Sequence, residues 1–134
     1  MISLARLKRS SASVLILLKT LLPLRYEGCW WIPIPHDDIF AALHNRRPFE
    51  HSELLFLQSF LKPGQTFWDI GANFGLYTII GAKCVGKQGS VVAFEPDPRN
   101  YRRLRINLLL NRLSQVATQP VALGDERLIV EFMA

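Results

Sequence analysis

The run Thr66-Phe67-Trp68-Asp69-Ile70 is aromatic and β-branched, stops at the glycines Gly71 and Gly75, and gives way to Leu76 to Val85, which reads as a helix closed by Gly86. This strand, glycine turn and helix constrain the chain most, because the same grammar repeats directly after them. A second strand, Ser90-Val91-Val92-Ala93-Phe94, ends at Glu95; Asp97 is set to cap the next helix, with Pro98 at its first position, where a missing N–H costs nothing. That helix is expected to run to about Asn111, and a third strand over Val116 to Leu123. Strands alternating with helices at this spacing predict an α/β fold, with right-handed crossovers and a parallel, Rossmann-like sheet. The unbroken apolar character of the second strand predicts a sheet covered on both faces. Ahead of it, Ser52 is expected to cap a short helix, Glu53 to Leu61, with Leu54, Leu55, Leu57, Phe60 and Leu61 facing the core and Lys62-Pro63-Gly64 ending it.

The chemistry concentrates where the first strand meets its helix, in Asp69-Ile70-Gly71-Ala72-Asn73-Phe74-Gly75. Gly71 permits a tight turn, and Gly75 allows a close approach of backbone and helix, so that amide N–H groups are expected to face an anionic or polar ligand. Glu95 stands at the end of the next strand, 20 residues after Gly75. A carboxylate there accepts both hydroxyls of an adenosine ribose. The loop is G-x-x-x-G, however, and Asn73 occupies the position at which a dinucleotide fingerprint has the glycine that makes room for pyrophosphate. The phosphate-cradling G-x-x-x-x-G-K-[ST] pattern is absent as well. Asp69 would repel phosphates but suits an amino group. A ligand with adenosine at one end and a zwitterionic amino acid at the other meets all these conditions, and S-adenosylmethionine is such a ligand.

Phe67 to Thr78, then Val92-Ala93-Phe94-Glu95-Pro96-Asp97-Pro98, then Asn107, Asn111 and Leu113, and finally Pro120-Val121-Ala122-Leu123-Gly124-Asp125, together resemble the FkbM family of class I methyltransferases. The likeness covers about residues 54 to 134, and its combination of D-x-G-A-N-x-G with E-P-x-P is far narrower than a generic glycine loop. It implies that Asp69 and the backbone of Gly71, Ala72, Asn73 and Gly75 hold the methionine portion of S-adenosylmethionine, with Asn73 fixing the loop. Glu95 would bind the ribose, and Pro96 and Asp97 would border the adenine. It implies O-methylation of a hydroxyl on a sugar or another small metabolite. The family's later K-I-D-V-E-G-like segment has no counterpart here, so the sheet is expected to be incomplete at its C-terminal end, with exposed edges that favour self-association, and no catalytic base is named.

The net charge of +5 invites a nucleic-acid reading until it is located. Residues 1–25 carry Arg6, Lys8, Arg9, Lys19 and Arg25 with no acid, and the rest of the chain is neutral. Arg99, Arg102, Arg103, Arg105 and Arg112 keep a nucleic-acid methyltransferase as the alternative, although their helical spacing also describes a solvated face. A noncatalytic nucleotide-binding or interaction domain is the other alternative. Leu4, Leu7, Ser11, Val14, Leu18 and Leu21 recur at steps of three and four, a stripe that fits a helix packed on its own domain and, alternatively, a basic helix resting on an anionic membrane surface. Neither a signal-peptide cleavage site nor about 20 consecutive apolar residues follows, which points to the cytoplasm. Residues 1–50, this helix and a proline-rich connector, form an N-terminal extension to the S-adenosylmethionine-binding part at 51–134. In the connector, Trp30 and Trp31 read as packing anchors ahead of a ligand platform. Cys29 and Cys84 have no metal-ligand or disulfide-framework spacing, and His36, Asp37, Asp38, His44 and His51 match no helix-face ligand pair, so no metal is expected.

Overall fold

The computed structural model describes residues 22–32, 42, 45 and 48–126. The amphipathic stripe of residues 1–21 lies outside them, as do His36, Asp37, Asp38 and His44. The chain divides into two compact units, Met1–Phe49 and Glu50–Ala134.

In the first unit, β1 (Leu24–Tyr26) and β2 (Cys29–Trp31) pair antiparallel, with Tyr26 opposite Cys29. Their two-residue connection, Glu27 and Gly28, has positive φ at both positions, the twist a tight hairpin needs. Trp31 is fully buried and its indole N–H donates to the Tyr26 carbonyl at 2.9 Å, a packing anchor with its polar edge satisfied. Trp30 is half exposed, with the Arg25 guanidinium 5.8 Å from its ring centre.

The second unit begins with α1 (His51–Phe60). Its N-cap is Glu50 in a left-handed conformation, and no side chain caps it. The expected cap, Ser52, lies inside the helix and donates to the Glu53 carboxylate. Leu54, Leu57 and Leu61 are buried as expected, while Leu55 and Phe60 face solvent because they fall off the stripe that meets α2 (Leu76–Val85). Between these helices lies β3 (Thr66–Ile70), which pairs in parallel with β4 (Ser90–Phe94). Then comes α3 (Pro98–Leu110), followed by β5 (Val116–Gln119), which pairs in parallel with β4, giving the order β3-β4-β5. The third strand ends four residues short of the expected Leu123.

Strand alternation and register decide which side chains share a face. Phe67 and Asp69, Val91 and Ala93, and Val116 and Thr118 lie on one side. Both following helices pack there: α2 sets Gly81 against the Phe67 ring, and α3 sends the Tyr101 hydroxyl to Thr118 Oγ1 at 3.0 Å. The other side carries Trp68 and Ile70, about three-fifths exposed, and half-buried Val92, with the Trp68 and Phe94 rings tilted together at 5.6 Å. Among the described residues the sheet is therefore covered on one face, not two. With strands in sequential order, successive crossovers of one hand return to the same side.

Candidate cofactor site

At the carboxyl end of β3 the chain turns through Gly71 (φ 84), Asn73 (φ 51) and Gly75 (φ 97), each left-handed, a conformation that suits glycine and that asparagine tolerates. Gly75 is the N-cap of α2 and supplies no side-chain cap. Asp69 supplies the missing acceptor. Buried on the helix-covered face, its carboxylate accepts from both the hydroxyl and the backbone N–H of Thr78, in the first turn of α2. Burial pushes the Asp69 carboxyl above its ordinary range, the Thr78 hydrogen bonds oppose that rise, and the Glu95 charge adds to it.

The loop's amides do not fan outward as the glycine spacing predicts. Gly71 N–H and Ala72 N–H both donate to the Phe94 carbonyl at 2.9 Å, Gly75 N–H to Ala72 at 2.8 Å, and Asn73 N–H to Glu95 Oε2 at 2.7 Å. These four donors are consumed by the chain itself, because the turn wraps the end of β4 as well as its own strand. A phosphate-binding cradle requires such donors to face the ligand. A ligand approaching this loop therefore meets backbone surface and a carboxylate in place of a fan of donors.

Glu95 follows β4 directly, and its own N–H continues the ladder to the Gln119 carbonyl at 3.0 Å. Its side chain is 6% exposed and spans two segments: Oε2 accepts from Asn73, and Oε1 from the Asp97 N–H at 2.8 Å. Asp97 caps α3 as its position predicts, Oδ1 accepting from Arg99 N–H and Asn100 N–H at 2.8 and 2.9 Å. Pro96, half-buried, lies between the two acids. A Cβ built on Gly71 meets nothing within 4 Å, so the space over the turn is open, whereas one on Gly75 would come within 2.5 Å of Leu104 Cδ1. Hence Gly71, Asn73, Glu95 and Asp97 come together at the carboxyl ends of adjacent strands, where ligands bind in open α/β sheets. Asp69 stands behind them, in contact with α2.

Helix α3 holds the loop from behind through Asn107, to which sequence spacing gave no role, and Arg103, which that spacing placed on a solvated or nucleic-acid-facing side and which is instead buried. Asn107, fully buried, donates from Nδ2 to the Phe74 carbonyl at 2.8 Å, and the buried Arg103 guanidinium sits 4.8 Å from the Phe74 ring centre. The available signal is that Arg103 and Asn107 fall on the same helical stripe as Leu104 and Leu108, where polar side chains need a buried partner.

Residues 69–132 match the model of the Methyltransferase FkbM domain. No curated protein matches the chain. Among solved structures, TYW2 of M. jannaschii, in complex with AdoMet, is 23% identical with a TM-score of 0.55, the match covering 72% of this chain and 41% of that one. TYW2 of P. horikoshii, in complex with MeSAdo, is 18% identical with a TM-score of 0.55, covering 75% and 35%. A candidate rRNA-methylase from Clostridium thermocellum is 23% identical with a TM-score of 0.51, covering 54% and 39%. The fold is that of Rossmann-like methyltransferases, and the chain spans about two-fifths or less of the length of these structures.

Proposed function

We propose, on the match of residues 69–132 to the Methyltransferase FkbM domain, that the chain binds S-adenosylmethionine and serves methyl transfer to a hydroxyl on a sugar or another small metabolite. The observation that carries the reading is Glu95, a buried carboxylate at the end of the second strand beside a turn whose own amides are spent. A carboxylate so held retains acceptor capacity for a ribose diol, and the open space over Gly71 admits a ligand against the backbone. Asn73 shapes the turn, Pro96 and Asp97 border the adenine, and Asp69, through Thr78, fixes the start of α2 under the amino-acid portion. The cofactor supplies an electrophilic methyl group to the acceptor oxygen. The same arrangement disfavours pyrophosphate, which would meet the Glu95 carboxylate and loop amides already bonded within the chain.

Calorimetric titration tests the reading. S-adenosylmethionine or its demethylated product is expected to bind more tightly than NAD, and tighter NAD binding would end the proposal. A second reading, an RNA acceptor, draws on a groove of about 990 Å³ beside α3 and β5, which Arg102, Arg105 and Arg112 line without any carboxylate among the described residues. Transfer of labelled methyl groups to RNA in preference to hydroxylated small molecules would favour it.

A further inference from the structure

We infer that Glu95 has a second task, as a latch that fixes the cofactor loop before any cofactor arrives. This rests on the cofactor reading above but makes a claim about the ligand-free chain. The Asn73 backbone is in a left-handed conformation, φ 51, which asparagine tolerates and which a hydrogen bond to its own N–H fixes in place. One Glu95 oxygen accepts from the Asn73 N–H at 2.7 Å, and the other accepts from the Asp97 N–H at 2.8 Å. The carboxylate thus ties the turn after β3 to the residue that caps α3, with 6% of the side chain exposed. A carboxylate oxygen has room for two donors. Each oxygen of Glu95 therefore keeps capacity for one more, the number a ribose diol brings. The diol adds to the latch and displaces nothing.

This arrangement demands two acceptors at once. Glutamine offers one oxygen and one NH2 group, so in either orientation it sets donor against donor, at Asn73 or at Asp97. Alanine removes both acceptors and leaves room for water to serve the two amides. If Glu95 only accepted from the ribose, glutamine, which keeps one acceptor, would rank clearly above alanine. As a latch, the order becomes glutamate far ahead, with alanine equal to or better than glutamine.

The test uses the full 134-residue chain. Amide hydrogen exchange is read by NMR without ligand, with the core amides of Val91 and Ala93 as the fold control. The amides of Asn73 and Asp97 are expected to be protected in the wild type, with protection lost at both in Glu95→Ala and at one or both in Glu95→Gln. Calorimetry with S-adenosylmethionine is expected to give losses of about 10- to 100-fold for both variants, no smaller for Glu95→Gln than for Glu95→Ala. Unprotected Asn73 and Asp97 amides in the wild type would overturn the latch even if neither variant folded, and so would Glu95→Gln binding tenfold tighter than Glu95→Ala. Protected amides in a wild type that binds no S-adenosylmethionine would leave the latch standing and remove the cofactor reading instead.

Discussion

Asp69 and the two loop glycines stand in three different environments within one short motif. The folded Asp69 carboxyl titrates above its unfolded value because burial outweighs the Thr78 hydrogen bonds. Between those two values the native state holds more protons than the unfolded chain, so the Asp69 contribution to stability is greatest below the window and falls as pH rises through it. Denaturant midpoints measured across that window should decline more steeply with pH in the wild type than in Asp69→Asn, and a steeper decline in the variant would refute the assignment. The glycines separate in a complementary way. At Gly75 a methyl group meets both a left-handed backbone and Leu104 Cδ1 at 2.5 Å, so Gly75→Ala should cost about 1–3 kcal/mol of stability. At Gly71 a methyl group meets only backbone strain and open space, so Gly71→Ala should cost about 1 kcal/mol, with its larger effect on cofactor affinity. Unfolding curves and titrations on both variants check the contrast, which fails if the two lose stability equally.

Among the elements, α3 bears most directly on the site, because it caps, braces and packs at once. Its Asp97 carboxylate is engaged by Arg99 and Asn100, while its Asp97 N–H goes to Glu95. Side chain and backbone of one residue thus serve different structures, and a substitution can part them. Asp97→Ala is expected to lose about 1 kcal/mol of stability through the cap. Because the amide donated to Glu95 survives, cofactor affinity should change by less than about threefold. Chemical denaturation with parallel calorimetry decides between this and a carboxylate that touches the ligand, which would lower affinity more than stability. At the opposite end of the loop, the fully buried Asn107 and the Phe74 carbonyl form a second brace. That brace is why the apolar stripe of α3 carries an amide where leucine would otherwise pack.

For the whole molecule, every residue of the candidate site lies in the unit Glu50–Ala134, and most of the excess positive charge lies in the other. Among the described residues no helix is long and apolar enough to cross a membrane. Removing residues 1–22 is therefore expected to leave cofactor affinity within about twofold. The same truncation should abolish sedimentation with anionic vesicles if the basic stripe is the contact. A truncated chain that still sedimented would assign that contact elsewhere.

The sequence by itself determined the elements from β3 to α3. Thr66–Ile70, Leu76–Val85 and Ser90–Phe94 have the expected bounds, and α3 starts at Pro98 behind its Asp97 cap. Glycine, proline and a capping aspartate act on their own neighbours, so their effect is written locally. The start of α1 was not, because its N-cap is a left-handed glutamate with no side-chain signal. Tertiary structure alone decided the rest. Which face of the sheet the two helices cover follows from both crossovers returning to one side. That Asp69 serves α2 depends on a contact nine residues away, that Glu95 receives Asn73 on one 22 away, and that Asn107 holds Phe74 on one 33 away. Spacing announces that a loop, a carboxylate and a buried amide exist. Which donor meets which acceptor is settled only when packing brings distant segments within 3 Å, and that pairing turned the loop's amides inward and left Glu95 between the Asn73 N–H and the Asp97 N–H.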